Sequence, residues 1–200
     1  MYKDNVKVSL ITNNGWELAR KYCRVTVGKE DLGYKVSDKF KRDLCYSEHS
    51  PIREIRFEIE LKDIPVPISQ QFSRHRIATN AGDFLHENIN PTDIEHYIKS
   101  QRPDRTGRPR GGNTDYIFTV NVQGLIDMSK KRLCLCASKE AYGIWNEVVS
   151  QICKIDQIIG EMLVPTCVYR GFCPEIKSCG YSKTDKFTDK LAKYRSNHVL

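Results

Sequence analysis

A chain of 200 residues has room for one domain with a real hydrophobic core. Hydrophobic residues make up 40% and charged ones 28%, an ordinary globular balance, and no apolar run nears the roughly 20 residues that a bilayer crossing needs. The net charge of +7 turns the surface toward anionic partners such as nucleotides or nucleic acid.

Residues 1–5 lack the apolar core of a signal peptide, so a cytoplasmic location is the expectation. In that setting the eight cysteines read as reduced thiols unless a metal holds some of them. Val6 to Leu10 alternates apolar and polar residues and reads as a half-buried strand. Asn13-Asn14-Gly15 is a turn signal, and Trp16, Leu18, Ala19, Tyr22 and Cys23 fit a short helix; 25–28 is ambiguous. Ser37 can cap a helix with Phe40, Leu44 and Cys45 on one side. Glu48-His49-Ser50-Pro51 breaks it. His49 serves either a ligand or the turn itself.

Ile55, Phe57, Ile59 and Leu61 then alternate with charged residues, the clearest strand in the chain. Asp63 to Pro67 is expected to turn, and Ile68 to Arg76 to form a helix. That helix carries Gln71-Phe72-Ser73-Arg74-His75-Arg76. Two guanidinium groups, an imidazole and a carboxamide in six positions make a dense set of donors, suited to a phosphate. From Asn80 to Thr114 the sequence is polar. Asn90-Pro91-Thr92-Asp93 is expected to start a short helix with Ile94 and Tyr97 inward. Residues 101–113 hold Arg102, Arg105, Arg108 and Arg110 among Pro and Gly, which reads as a mobile basic loop. His86, His96 and His198 read as surface residues, and Asp83 and Glu87 as solvated carboxylates.

The apolar run Tyr116 to Val120 leads into Asn121, an N-cap for a helix with Leu125 and Met128 inside and Lys130-Lys131-Arg132 near its end. Ser138 caps the longest expected helix, whose stripe runs Ile144, Val148, Ile152, Ile155, Ile159 and Met162. Trp16 and Trp145 read as core or subunit contacts. Pro165 closes the main domain, expected at 1–165, and 166–200 reads as a Cys-containing extension with a frayed Lys-rich end. The five thiols Cys134, Cys136, Cys167, Cys173 and Cys179 lack the close pairing usual for structural zinc. Structural or redox-labile thiols are the expectation there, with no metal.

Five pieces stand in a specific order: His49-Ser50-Pro51, the strand 56–61, Gln71 to Ala78, Phe118-Thr119-Val120-Asn121 and Arg132. Together they resemble the flavin-dependent thymidylate synthases over roughly residues 45 to 150. The resemblance implies an α/β (α+β) fold, a mixed sheet with long helices in a single domain, and a homotetramer. It implies FAD as cofactor, dUMP as substrate, methylene-tetrahydrofolate as carbon donor and NADPH as reductant, for dTMP biosynthesis. By the same resemblance Ser50, Arg74, His75, Arg76 and Asn121 would bind the flavin. Gln71, Arg74 and Arg132 would bind the substrate, with Arg132 catalytic through the uracil ring. The chain departs from the family pattern after Arg76, where Ile77 to His86 supplies neither the usual Glu nor the usual second Arg, and at Gln123, where an Arg is common. The alternatives are the same scaffold acting on another pyrimidine nucleotide, or a non-catalytic basic nucleic-acid-binding protein.

Overall fold

A computed structural model describes residues 2–81, 96–99 and 113–196, with the backbone alone for 74–81 and 96–99. The expectations for Asp83, His86, Glu87, the helix start at Asn90, the basic loop over 101–112 and His198 lie outside the described residues, as do those for the side chains of Arg74, His75, Arg76, His96 and Tyr97.

Alternation builds the sheet. Strands β1 (Val6–Leu10), β2 (Arg56–Pro65), β3 (His96–Lys99) and β4 (Asn113–Asn121) lie in the order β1-β2-β4-β3. The fold is α+β, and every described pairing is antiparallel where a mixed sheet was expected. In the register Phe57 faces Val120, Ile59 faces Phe118 and Leu61 faces Tyr116, so six buried side chains stack on one face. The outer edge of β1 is not left open. Gln151 accepts from the Val8 backbone N–H at 3.0 Å and donates to the Val6 carbonyl at 2.8 Å, which stands in for a further strand.

Two expectations change in the sheet. The turn expected over 63–67 is strand and helix instead: β2 runs on to Pro65 through a bulge between Leu61 and Ile64, and a helix starts at Val66. Asp63 absorbs the extra residue at φ 53°, a left-handed conformation that a short polar side chain tolerates. Its N–H is taken by Asp115 Oδ1 at 3.0 Å. Tyr97 was expected on a helix but lies in β3, opposite Ile117.

The helices follow their caps. Helix α1 (Gly15–Thr26) reaches into the ambiguous stretch as far as Thr26, and the rest of that stretch is a turn with Gly28 at φ 67°. Helix α2 (Asp38–Tyr46) starts where Ser37 accepts from the Phe40 N–H. Helix α3 (Val66–Ala81) follows β2 directly, with Pro67 in its first turn, where no N–H is needed. Helix α4 (Val122–Arg132) is capped by Asn121 and buried along most of its length. The long stripe past Ser138 is two helices, α5 (Lys139–Ile155) and α6 (Gln157–Met162). Asp156 causes the break: at ψ 103° it leaves the helix, and its Oδ1 caps α6 by accepting from the Ile159 N–H at 3.0 Å. Its other oxygen accepts from the Trp16 indole N–H at 2.7 Å. The sequence period is blind to such a cap because Ile152 before it and Ile159 and Met162 after it are all buried; Ile155, expected on the same stripe, is 39% exposed because it sits at the break.

The tail expected to be frayed is helical over Asp185–Ser196, the last of the described residues. Helix α7 (Thr166–Arg170) and helix α8 (Asp185–Ser196) bury Val168, Phe187 and Tyr194, and the Tyr194 ring lies 5.4 Å from that of Tyr46. Trp145 is fully buried, its indole N–H donating to Ser129 at 2.9 Å.

Asp156→Ala removes a cap and strands the Trp16 N–H. Urea unfolding should register a loss of about 1–2 kcal/mol; an unchanged midpoint would show that the break does not depend on this carboxylate.

Candidate functional site

Of the residues singled out from sequence, Asn121 and Arg132 stand at the two ends of helix α4. At its start, the Asn121 side-chain oxygen accepts from the Gly124 N–H at 2.9 Å. Asn121 is thus the N-cap expected, and it is buried. The preceding chain is close by: the Val122 N–H donates to the Ile55 carbonyl at 3.0 Å, at the end of a 3-10 turn over Ser50–Glu54. Ser50 opens that turn and is exposed, as is His49. Pro51 at the first helical position is buried and fixes the turn.

At the other end of α4, Arg132 meets α3. Its guanidinium donates to the Gln71 side-chain oxygen at 3.1 Å and to the Gln71 backbone oxygen at 2.7 Å. It also lies 5.8 Å from the Phe72 ring centroid. Gln71 and Arg132 are 61 positions apart in sequence, and the fold joins them by a two-pronged bond. The bond uses the acceptor end of the Gln71 side chain. Arg74, His75 and Arg76 follow on the same helix, α3. The eleven residues of α4 separate the Asn121 end from the Arg132 end by about 16 Å. The structure joins Gln71 with Arg132 and Ser50 with the start of α4, and holds these two groups apart along one helix.

Sequence reasoning missed the charged cluster between them. Glu48 sits at φ 49°, just before His49 and Ser50. Its carboxylate accepts from Lys130 Nζ at 2.8 Å and from the Gln123 amide. Lys130 also reaches Asp127 at 3.2 Å and lies 4.0 Å from the Tyr169 ring centroid. Glu48 and Lys130 are mostly buried, with side chains 20% and 17% exposed. Burial pushes the Glu48 carboxyl up, but bonds from Lys130, Gln123 and Tyr169 more than offset this and hold its pKa below the ordinary value. Burial alone would lower the Lys130 pKa, and Glu48 and Asp127 raise it instead. Gln123, a departure from the family pattern, thus has a definite partner. Nothing local in the sequence marks a pair 82 residues apart.

No family model matches the chain. A curated relative, flavin-dependent thymidylate synthase from Clostridium tetani (strain Massachusetts / E88), is 23% identical over 215 residues, spanning 81% of this chain and 86% of that protein. Among solved structures, the crystal structure of flavin dependent thymidylate synthase ThyX from Helicobacter pylori, complexed with FAD and dUMP, aligns with a TM-score of 0.55 at 12% identity. The alignment covers 80% of this chain and 99% of that one. The fold is therefore ThyX-like. In sequence the chain is similar to a flavin-dependent thymidylate synthase across most of both chains.

The ion pair has a pH signature. Glu48, lowered in the fold, contributes stability present above the unfolded carboxylate pKa and lost as pH falls through its folded value. Lys130, raised in the fold, contributes below the ordinary lysine pKa and loses this as pH rises through its folded value. Glu48→Gln should cost about 1–3 kcal/mol at neutral pH. Its gap from the native chain should close as the medium is acidified below the folded Glu48 pKa. Urea melts across pH decide it, and a gap independent of pH would reject the assignment.

Proposed function

We propose that this chain is an FAD-dependent, thymidylate synthase-like enzyme that reductively methylates dUMP to dTMP, with methylene-tetrahydrofolate as carbon donor and NADPH as reductant. It would work as a homotetramer in the cytoplasm. Among the described residues no helix is long and apolar enough to cross a membrane. The observation that carries the reading is the two-pronged bond from Arg132 to Gln71, which joins the end of α4 to the helix bearing Arg74-His75-Arg76. The name of the Clostridium tetani relative and the FAD and dUMP held by the Helicobacter pylori structure support it.

The donor set fits a flavin dinucleotide. Ser50 offers an exposed hydroxyl and Asn121 an amide N–H group at one end of α4. Arg74, His75 and Arg76 supply the cationic stretch for its phosphates, so these five residues would hold it. Bound flavin supplies hydride chemistry that no side chain here can perform. The protein's own part is binding and electrostatics. Arg132, fixed in direction by Gln71, would present its guanidinium to the uracil ring and stabilise negative charge at N3, which raises nucleophilicity at C5. Gln71 would orient the nucleotide through its amide donors. Fixing the guanidinium before substrate arrives spares reorganisation during reaction.

Purified protein should show flavin absorbance, or gain it when FAD is added, and should oxidise NADPH faster with dUMP present. Protein that takes up no flavin under either condition defeats the reading. Arg132→Lys keeps the charge but loses the fork, and should lower kcat/KM by about 10²-fold while leaving flavin binding in place. Labelled methylene-tetrahydrofolate offered with dUMP and with dCMP separates this reading from the same chemistry on another pyrimidine nucleotide.

A further inference from the structure

Glu48 occupies a position where the backbone favours glycine. Helix α2 ends at Tyr46, and the chain then closes a Schellman motif. The Glu48 N–H donates to the Cys45 carbonyl at 3.2 Å, and the His49 N–H donates to the Leu44 carbonyl at 3.1 Å. In this motif the residue after the helix cap takes a left-handed conformation, as Glu48 does at φ 49°. Glycine, without a Cβ, meets no strain there. A chain that needed only the turn would do best with glycine, so the glutamate calls for another reason.

The reason lies across the fold, on helix α4. Glu48 Oε1 accepts from Lys130 Nζ at 2.8 Å, and Oε2 accepts from the Gln123 amide. Gln123 stands in the first turn of α4 and Lys130 in the last, so one carboxylate is held to both ends of that helix. The 3-10 turn Ser50–Glu54 is thereby fastened to α4 on both sides. Ahead of it stand the bonds of Glu48. Behind it the Ile55 carbonyl accepts from the Val122 N–H at 3.0 Å. Within it Pro51 and Ile52 are buried, and the Ile52 N–H donates to the His49 carbonyl at 3.1 Å. Gly15, at the start of α1, closes on the far end, where a Cβ would lie 2.8 Å from Ile55 Cγ1. Ser50 is the exposed residue of this clamped turn.

We propose that Glu48 is a positioning residue: through Lys130 and Gln123 it fixes the Ser50 hydroxyl against the start of α4, and so sets the affinity of the chain for a flavin dinucleotide. The inference rests on the flavin reading of Ser50. Glu48 acts through the turn and not on the ligand. A hydrogen bond weakens steeply once its angle falls below about 120°, so a turn free to rock would offer the hydroxyl in a bonding direction for only part of the time. A turn fixed beforehand loses less freedom when the ligand binds.

Glu48→Gly separates the backbone from the carboxylate, because it suits the turn and removes the bonds to α4. The full chain is titrated with FAD and followed by flavin fluorescence, with a urea midpoint for each variant. Glu48→Gly should fold and bind FAD about 10-fold more weakly than the native chain. Ser50→Ala should also weaken binding, and the double variant should bind no more weakly than Ser50→Ala alone, because one residue acts through the other. Glu48→Gln, close to the native shape, gives the same test should the glycine variant fail to fold. Native FAD affinity in a folded Glu48 variant overturns the inference, even where the urea midpoint moves, since that is a structural role alone. Losses that simply add in the double variant overturn it too. Either result leaves the flavin reading standing. A native chain that takes up no FAD removes the flavin reading and this inference with it.

Discussion

The last turn of helix α4 is where the fold is tied together. Ser129 accepts from the fully buried Trp145 indole on α5. Lys130 pairs with Glu48 ahead of the Ser50 turn, and its carbonyl accepts from the Thr166 hydroxyl at 2.6 Å where α7 begins. Arg132 grips Gln71 on α3. Four separate stretches of chain thus depend on one helical turn. Cations are also favoured there, because unpaired carbonyls at a helix end present partial negative charge.

A mostly buried ion pair is rarely a net source of stability, since desolvation consumes much of the Coulombic gain. Its value here is positional. Glu48 is held in a left-handed conformation that a residue with a Cβ resists, and its bonds to Lys130, Gln123 and Tyr169 over-determine that geometry. The chain leaves Glu48 in a fixed direction, and Pro51 completes the turn that exposes Ser50. Gln123 therefore helps to hold Glu48 in this conformation.

Much of the fold was legible because short-range rules govern it. Alternation marked β1 and the first half of β2, and Ser37, Asn121 and Ser138 announced their helices through side-chain oxygens that accept from the first turn. The misses share a cause. Asp63 and Asp156 each override the pattern around them with one unusual backbone angle, and a period averaged over several residues cannot register a single dihedral. Strand β3 has four residues, too few to alternate convincingly. Within the site, Gln71 and Arg132 could be named from a resemblance, but their contact could not, and Glu48 carried no mark at all. Contacts across sixty to eighty positions are properties of topology, and no local window holds both partners.

Lys130 and Arg132, two of the three cations of that final turn, differ in the partners they have. Lys130 is bonded to carboxylates and lies over an aromatic ring, so moving it would leave charge uncompensated in a mostly buried place. Gln71 offers Arg132 two neutral oxygens. Lys130 therefore belongs to the scaffold, and the bond from Arg132 to Gln71, two residues on, brings α3 against the end of α4. One helical turn joins the segment before the Ser50 turn through its lysine and α3 through its arginine, because a carboxylate anchors the first cation and an amide directs the second.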